Sequence, residues 1–146
     1  MNRIVVALSM IACASFTQPA VARDDVYSLK IQDVLDSPEF EARVGKSFFF
    51  AFADRQGPAD APIEEYVAEA REHYRNRPEE PTCRDTFILG FSQLKMRAQR
   101  KGGDAVIGIV GYFKRKAFSS TTQFQCHAGE PGVYVTLRGK IVKLQK

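Results

Sequence analysis

Three cysteines occur in the chain, and two of them, Cys83 and Cys126, lie outside an N-terminal segment with the marks of an export leader. That pair constrains the fold more than any other feature. Cys83 opens an apolar stripe at helical spacing, and Cys126 sits in an alternating strand. A bond between them would tie a helix to a sheet. The leader itself has Arg3 as its positive end, an apolar run from Ile4 to Cys13, and Ala20-Val21-Ala22 as a small-x-small cleavage pattern before Arg23. Its apolar run is shorter than the roughly 20 residues a membrane span requires. Cleavage after Ala22 makes residues 1–22 a signal peptide and residues 23–146 a single periplasmic α+β domain, with no transmembrane segment in the mature chain. Met10-Ile11-Ala12-Cys13 loosely matches a lipidation box, so lipoprotein anchoring at Cys13 is an alternative. In an oxidising compartment two remaining cysteines are expected to pair as a structural disulfide. The alternative is a redox or metal-binding role using Cys83, Cys126 and His127.

The charge is unevenly placed. Residues 23–80 hold 8 basic and 14 acidic side chains, whereas residues 81–146 hold 12 basic and 3 acidic. Either the two halves fold against each other and neutralise, or the basic half meets an anionic partner. For an exported chain that partner is an anionic lipid, lipopolysaccharide or an acidic protein face rather than nucleic acid.

Ordered along the chain, the pattern predicts a weak strand at Val26–Ile31. A short helix follows, started by Ser37 and Pro38 and stopped by Gly45. The apolar run Ser47–Ala53 reads as a strand, and Gly57-Pro58 as a loop. Pro62 opens a surface helix, with Ile63, Tyr66, Val67, Ala70 and Tyr74 at helical spacing, and His73 falls in this charged segment. The main helix spans 82–101. Thr82 caps it, Asp85 completes a weak capping box, and Cys83, Phe87, Phe91, Leu94 and Ala98 line one face. Lys95, Arg97, Arg100 and Lys101 suit its C-terminal turns, and Gly102-Gly103 ends it. Strands are then expected at Ala105–Phe113, Thr121–His127 and Val133–Leu144, with a break at Lys114–Ser120, a turn at Glu130-Pro131-Gly132 and a bulge at Gly139. Gly108 and Gly111 suggest close approach by a neighbour. The expected architecture is α+β: an antiparallel sheet of about four to five strands, the main helix packed on it, and one or two peripheral helices.

No arrangement of paired carboxylates, nucleophile elbow or zinc-binding helix appears. Gly45-Lys46-Ser47 imitates the end of a phosphate-binding loop, but the motif needs a second Gly where this chain has Phe40. Strand parity points His127 away from Cys126, which separates the three members of any cysteine–histidine site. No catalytic residue, metal or cofactor is expected.

Cys83 with the helix after it, Gly103-Asp104-Ala105-Val106, Ala117-Phe118-Ser119-Ser120, Phe124-Gln125-Cys126-His127-Ala128-Gly129 and Leu137-Arg138-Gly139-Lys140-Ile141-Val142-Lys143-Leu144 resemble a family of small exported proteobacterial proteins. Its members are often labelled excinuclease ATPase subunit. Arg23-Asp24-Asp25-Val26 fits the same family. The incomplete phosphate loop and the leader both argue against that label. More distantly, the helix–Gly–Asp-Ala-Val-Ile–strand–strand arrangement is similar to the YbjQ-type domain and to the signalling domain of the Rcs envelope-stress lipoprotein. That similarity implies a small α+β domain acting by binding other proteins, and it allows oligomers.

The expected function is therefore a non-enzymatic envelope binding or stress-related domain. Its partner would be an envelope protein or an anionic envelope component. The binding face would be built from Lys95, Arg97, Arg100, Lys101, Arg115, Lys116, Arg138 and Lys140.

Overall fold

Residues 22–55 and 61–145 are described by the computed structural model. Residues 1–21, which hold Cys13 and all but the last residue of the expected leader, and the Gly57-Pro58 loop lie outside the described residues. The protein has an α+β architecture, with β1 (Asp25–Lys30), α1 (Ile31–Leu35), α2 (Pro38–Arg43), β2 (Phe49–Phe52), β3 (Glu64–His73), α3 (Glu79–Arg100), β4 (Ala105–Gly111), β5 (Gln123–Ala128) and β6 (Gly132–Val142). A tight turn at Phe113–Arg115, with left-handed backbone at Lys114 and Arg115, lies in the connection from β4 to β5.

The strands form one six-stranded open sheet. β6 is its spine. One edge of β6 pairs antiparallel with β3 along the whole of that strand, from Glu64↔Ile141 to His73↔Gly132. The other edge is shared: β5 takes Val133 and Tyr134, and β4 takes Leu137–Val142. β1 then extends the β5 side in antiparallel register, and β2 extends the β4 side in parallel register. The sheet is therefore mixed and larger than the expected antiparallel sheet of four to five strands. The sixth strand is β3, expected as a helix, and the parallel pairing comes from β2, which is apolar throughout and carries no alternation that would have fixed its neighbour or direction.

Helix α3 covers one face. Its stripe of Cys83, Phe87, Phe91, Leu94 and Ala98 is 0% exposed. The odd-numbered residues of β6 (Val133, Val135, Leu137, Ile141) meet it in one core. Phe91 receives Phe87, Phe40 and Phe50 edge-on, and Phe87 stacks on Phe124 at 3.8 Å. A buried ring of this size contributes about 2–3 kcal/mol of hydrophobic stabilisation. The helix can lie this close because Gly90 faces the sheet. A Cβ there would sit 3.2 Å from Leu137 and 3.7 Å from Ala70.

Helix α3 starts at Glu79, earlier than the expected Thr82 cap. Pro81 is tolerated in the first turn, where a backbone N–H has no intrahelical acceptor to satisfy. Thr82 instead donates its hydroxyl to the Pro78 carbonyl, and Asp85 pairs with Arg77. The cap expected at Ser37 is present, with the Phe40 N–H donating to Ser37 Oγ at 3.2 Å. Helices α1 and α2 close one end of the core through Ile31, Val34 and Phe40.

The segment expected as a helix from Pro62 is β3. Its residues fit both periods, but Tyr66, Ala68 and Ala70 face α3 while Val67, Glu69 and Arg71 face away, and ten consecutive residues pair with β6. The bulge expected at Gly139 lies across from it in β4. Ile107 pairs with Lys140 and Val110 with Arg138, so Gly108 and Ile109 together oppose Gly139. Gly108 adopts φ +61°, the left-handed conformation that such a bulge asks of its first residue.

The second face of the sheet has no helix on it among the described residues. Ala51, Ala105, Ile107 and Val142 form a small cluster there under Leu144. The rest of that face carries mostly polar and aromatic side chains, with Val67 and Val110 opposite Arg138 among them.

Candidate functional site

β5 alternates, and the alternation separates its chemistry. Phe124 and Cys126 point into the core; Gln125 and His127 point to the open face. Cys126 is bonded to Cys83 in the first turns of α3, with the two Cα atoms 5.8 Å apart and both residues 0% exposed. The bond joins helix to sheet, as strand parity leads one to expect. Because His127 is on the far face, Cys83, Cys126 and His127 do not converge. No group of three or more His, Cys, Asp or Glu side chains among the described residues could hold a metal ion.

His127 instead belongs to a cluster built by the β4–β5 connection. After Tyr112 the chain turns tightly, with the Arg115 N–H donating to the Tyr112 carbonyl at 3.2 Å and the Lys116 N–H to the Phe113 carbonyl at 3.0 Å. Lys114 (φ 50°) and Arg115 (φ 62°) occupy the two central positions, both left-handed. Asn and Gly are the usual residues there, and each bulky side chain carries a conformational cost of about 1–2 kcal/mol. Strain of this kind collects where surrounding structure fixes a functional geometry.

The turn lays Phe113 flat on His127, with ring centroids 3.7 Å apart and planes 17° from parallel. The imidazole is only 12% exposed, and its Nδ1 lies 3.4 Å from Asp24 Oδ1. The second oxygen of Asp24 takes Lys114 Nζ at 3.1 Å. Lys114 also sits above the Phe113 ring. Burial lowers the His127 pKa, partly offset by Asp24. The Lys114 ammonium holds the Asp24 carboxyl below the usual carboxylate range. In the neutral imidazole, Nδ1–H donates to Asp24 and Nε2 is left as a buried nitrogen with no hydrogen-bond partner.

Two grooves flank this Asp24–Lys114 bridge. One, of about 550 Å³, runs past Arg23, Gly129, Glu130 and Tyr134; the other, of about 330 Å³, runs past Lys116, Phe118 and Gln125. Neither is lined by a serine, threonine or free cysteine among the described residues. The cluster combines charged side chains (Asp24, Lys114, Lys116) with aromatic surface (Phe113, Phe118, Tyr134) around His127. Further along the open face the guanidinium of Arg138 stacks over Tyr112 at 4.2 Å and that of Arg71 over Tyr134 at 5.2 Å.

The eight cations read from the sequence do not share one face. Lys95, Arg97, Arg100 and Lys101 belong to the α3 side. Lys95 donates to the Val44 carbonyl, Arg97 grips Glu64 with two hydrogen bonds, and Lys101 lies 3.9 Å from the same carboxylate. Arg138 and Lys140 occupy even positions of β6 and face away from α3. Arg138 lies 3.9 Å from Glu65. Arg115 and Lys116 project from the β4–β5 turn and are exposed. Much of the charge asymmetry between the halves is thereby neutralised by pairs such as Arg97–Glu64, Arg84–Asp33 and Lys114–Asp24. Arg100, Arg115, Lys116 and Lys140 have no carboxylate within ion-pair distance among the described residues.

Sequence reasoning passed over Lys114, Asp24 and Phe113. The signal was available in Phe113-Lys114-Arg115-Lys116-Ala117-Phe118, three consecutive cations between two aromatic residues. It reads as a mere break between strands unless the turn's geometry is known. No protein-family model matches the chain, and no curated protein matches it.

Proposed function

We propose that this is a disulfide-stapled, non-enzymatic domain of the cell envelope, exported to an oxidising compartment, which binds an anionic envelope surface through its β4–β5 turn. The observation that carries the reading is the turn itself. A left-handed backbone at Lys114 and Arg115 projects three cations between Phe113 and Phe118, and two of them, Arg115 and Lys116, lack carboxylate partners among the described residues. Cations beside aromatic rings suit a membrane interface, where the charges meet headgroups and the rings sit at the boundary. The buried Cys83–Cys126 bond fits an oxidising location. Among the described residues no helix is long and apolar enough to cross a membrane.

Co-sedimentation with vesicles tests the reading. Binding is expected to phosphatidylglycerol vesicles and not to phosphatidylcholine vesicles, and to weaken steeply with added salt. Charge reversal at Arg115 and Lys116 should abolish it, whereas reversal at Arg100 and Lys101 on the α3 side should change it little. Absence of binding to anionic vesicles at low salt, or equal loss from both pairs, would overturn the assignment.

A further inference from the structure

The smaller groove beside the β4–β5 turn has an unusual balance of groups. Lys114, Lys116, Gln125 and His127 offer donors to it, and Asp24 is the one carboxylate that lines it. Asp24 is not a neutral bystander, since it spans Lys114 and His127 with its two oxygens at 3.1 Å and 3.4 Å. An anion therefore already occupies the position where Lys114 and His127 converge, beside Lys116 and Gln125 in the same groove, and that anion belongs to the chain.

We infer that this groove is a seat for a phosphate group and that Asp24 is its built-in occupant, displaced when phosphate binds. This rests on the anionic-surface reading above and names the chemistry that the turn would recognise. A phosphate offers more acceptor oxygens than a carboxylate and can engage Lys114, Lys116 and the imidazole together, while Asp24 reaches only two of them. Displacement asks little of the fold. Both partners of the Asp24–Lys114 pair are well exposed, at 46% and 67%, and exposed pairs of this kind are weak. Asp24 precedes the β1–β5 ladder, which begins at Asp25↔Ala128, so its side chain can swing away without breaking a ladder hydrogen bond. Arg23, held by Asp25 and Glu79, keeps the arm in place meanwhile. Aromatic walls from Phe113 and Phe118 complete the groove.

The test is an NMR titration with inorganic phosphate at constant ionic strength, followed on the His127 ring and the Lys114 side chain. Saturable shifts of both are expected. Asp24→Asn should tighten phosphate binding roughly two- to fivefold, the strength of the exposed pair it removes. Lys114→Ala and Lys116→Ala, both at exposed side chains, should each weaken binding. Shifts that grow linearly without saturation, or an Asp24→Asn variant with unchanged or poorer affinity, would overturn the inference. Repeating the comparison with phosphatidylglycerol vesicles separates the sources. A parallel gain for Asp24→Asn on vesicles assigns the seat to a lipid headgroup, and a gain with inorganic phosphate alone assigns it to a free phosphate ligand. Vesicle binding with no saturable phosphate response would sink the seat while leaving the surface reading intact.

Discussion

Removing the Cys83–Cys126 bond should cost this fold a large part of its stability. The cysteines are 43 positions apart. Loop closure over that length converts to about 4 kcal/mol of destabilisation when the bond is lost. For a domain of roughly 120 residues, with an unfolding entropy of about 2.1 cal/mol/K per residue, this lowers the melting temperature by about 16 °C. The assay is thermal unfolding followed by circular dichroism for the wild type, the Cys83→Ala/Cys126→Ala variant, and wild-type protein reduced in denaturant and refolded with reductant. The last isolates the bond from the packing change made by alanine. Because both residues are 0% exposed, dithiothreitol should leave the native bond intact until the domain unfolds. A melting temperature within about 5 °C of the wild type, under a third of the loop-closure expectation, would refute the architectural role. So would reduction of the folded protein at the rate of an open peptide disulfide.

Arg115→Gly should raise stability by up to about 1 kcal/mol, because glycine adopts the left-handed conformation without the side-chain clash; urea unfolding measures it, and a destabilised variant would contradict the strain. The same substitution should weaken binding to anionic vesicles, so stability and binding move in opposite directions. Acidification tests His127. Its folded pKa lies below its ordinary value because burial disfavours the imidazolium. Its contribution is therefore complete above about pH 6.5 and is lost as the pH falls through the lower folded value. The urea midpoint should fall between about pH 7 and pH 5, a window above the range where the depressed carboxyls of Asp24 and Glu64 titrate, and His127→Gln should flatten the slope. A midpoint that rises on acidification would mean that the Asp24 attraction outweighs burial.

What the sequence shows of this fold depends on where one period stands alone. The α3 stripe has only a helical reading, and each of its members is buried. Alternation in β5 places Cys126 and His127 on opposite faces before any coordinate is known. β3 is the opposite case. Glu64–His73 is rich in Glu and Ala, which favour helix, and its apolar residues fit either period. Ten paired residues along β6 override that preference, an outcome of tertiary structure that local pattern cannot contain. The candidate site was hidden for a related reason. Asp24 and Lys114 are 90 positions apart and meet only because β1 pairs with β5 and the turn after β4 folds back over it. The cations were visible individually, but which side of the sheet each would occupy required the β6 register.

The place of β6 in the sheet has a consequence for how the protein is made. Of the described strands it is the last to be synthesised, yet β3, β4 and β5 are all joined through it. Until β6 arrives, β3 has no strand to pair with, and the stripe of α3 has only part of the surface that buries it. A nascent chain that has emitted everything up to β5 can form the β1–β5 and β2–β4 pairs but has no strand to join them and no partner for β3. Assembly of the sheet as one unit therefore waits for the last of its described strands.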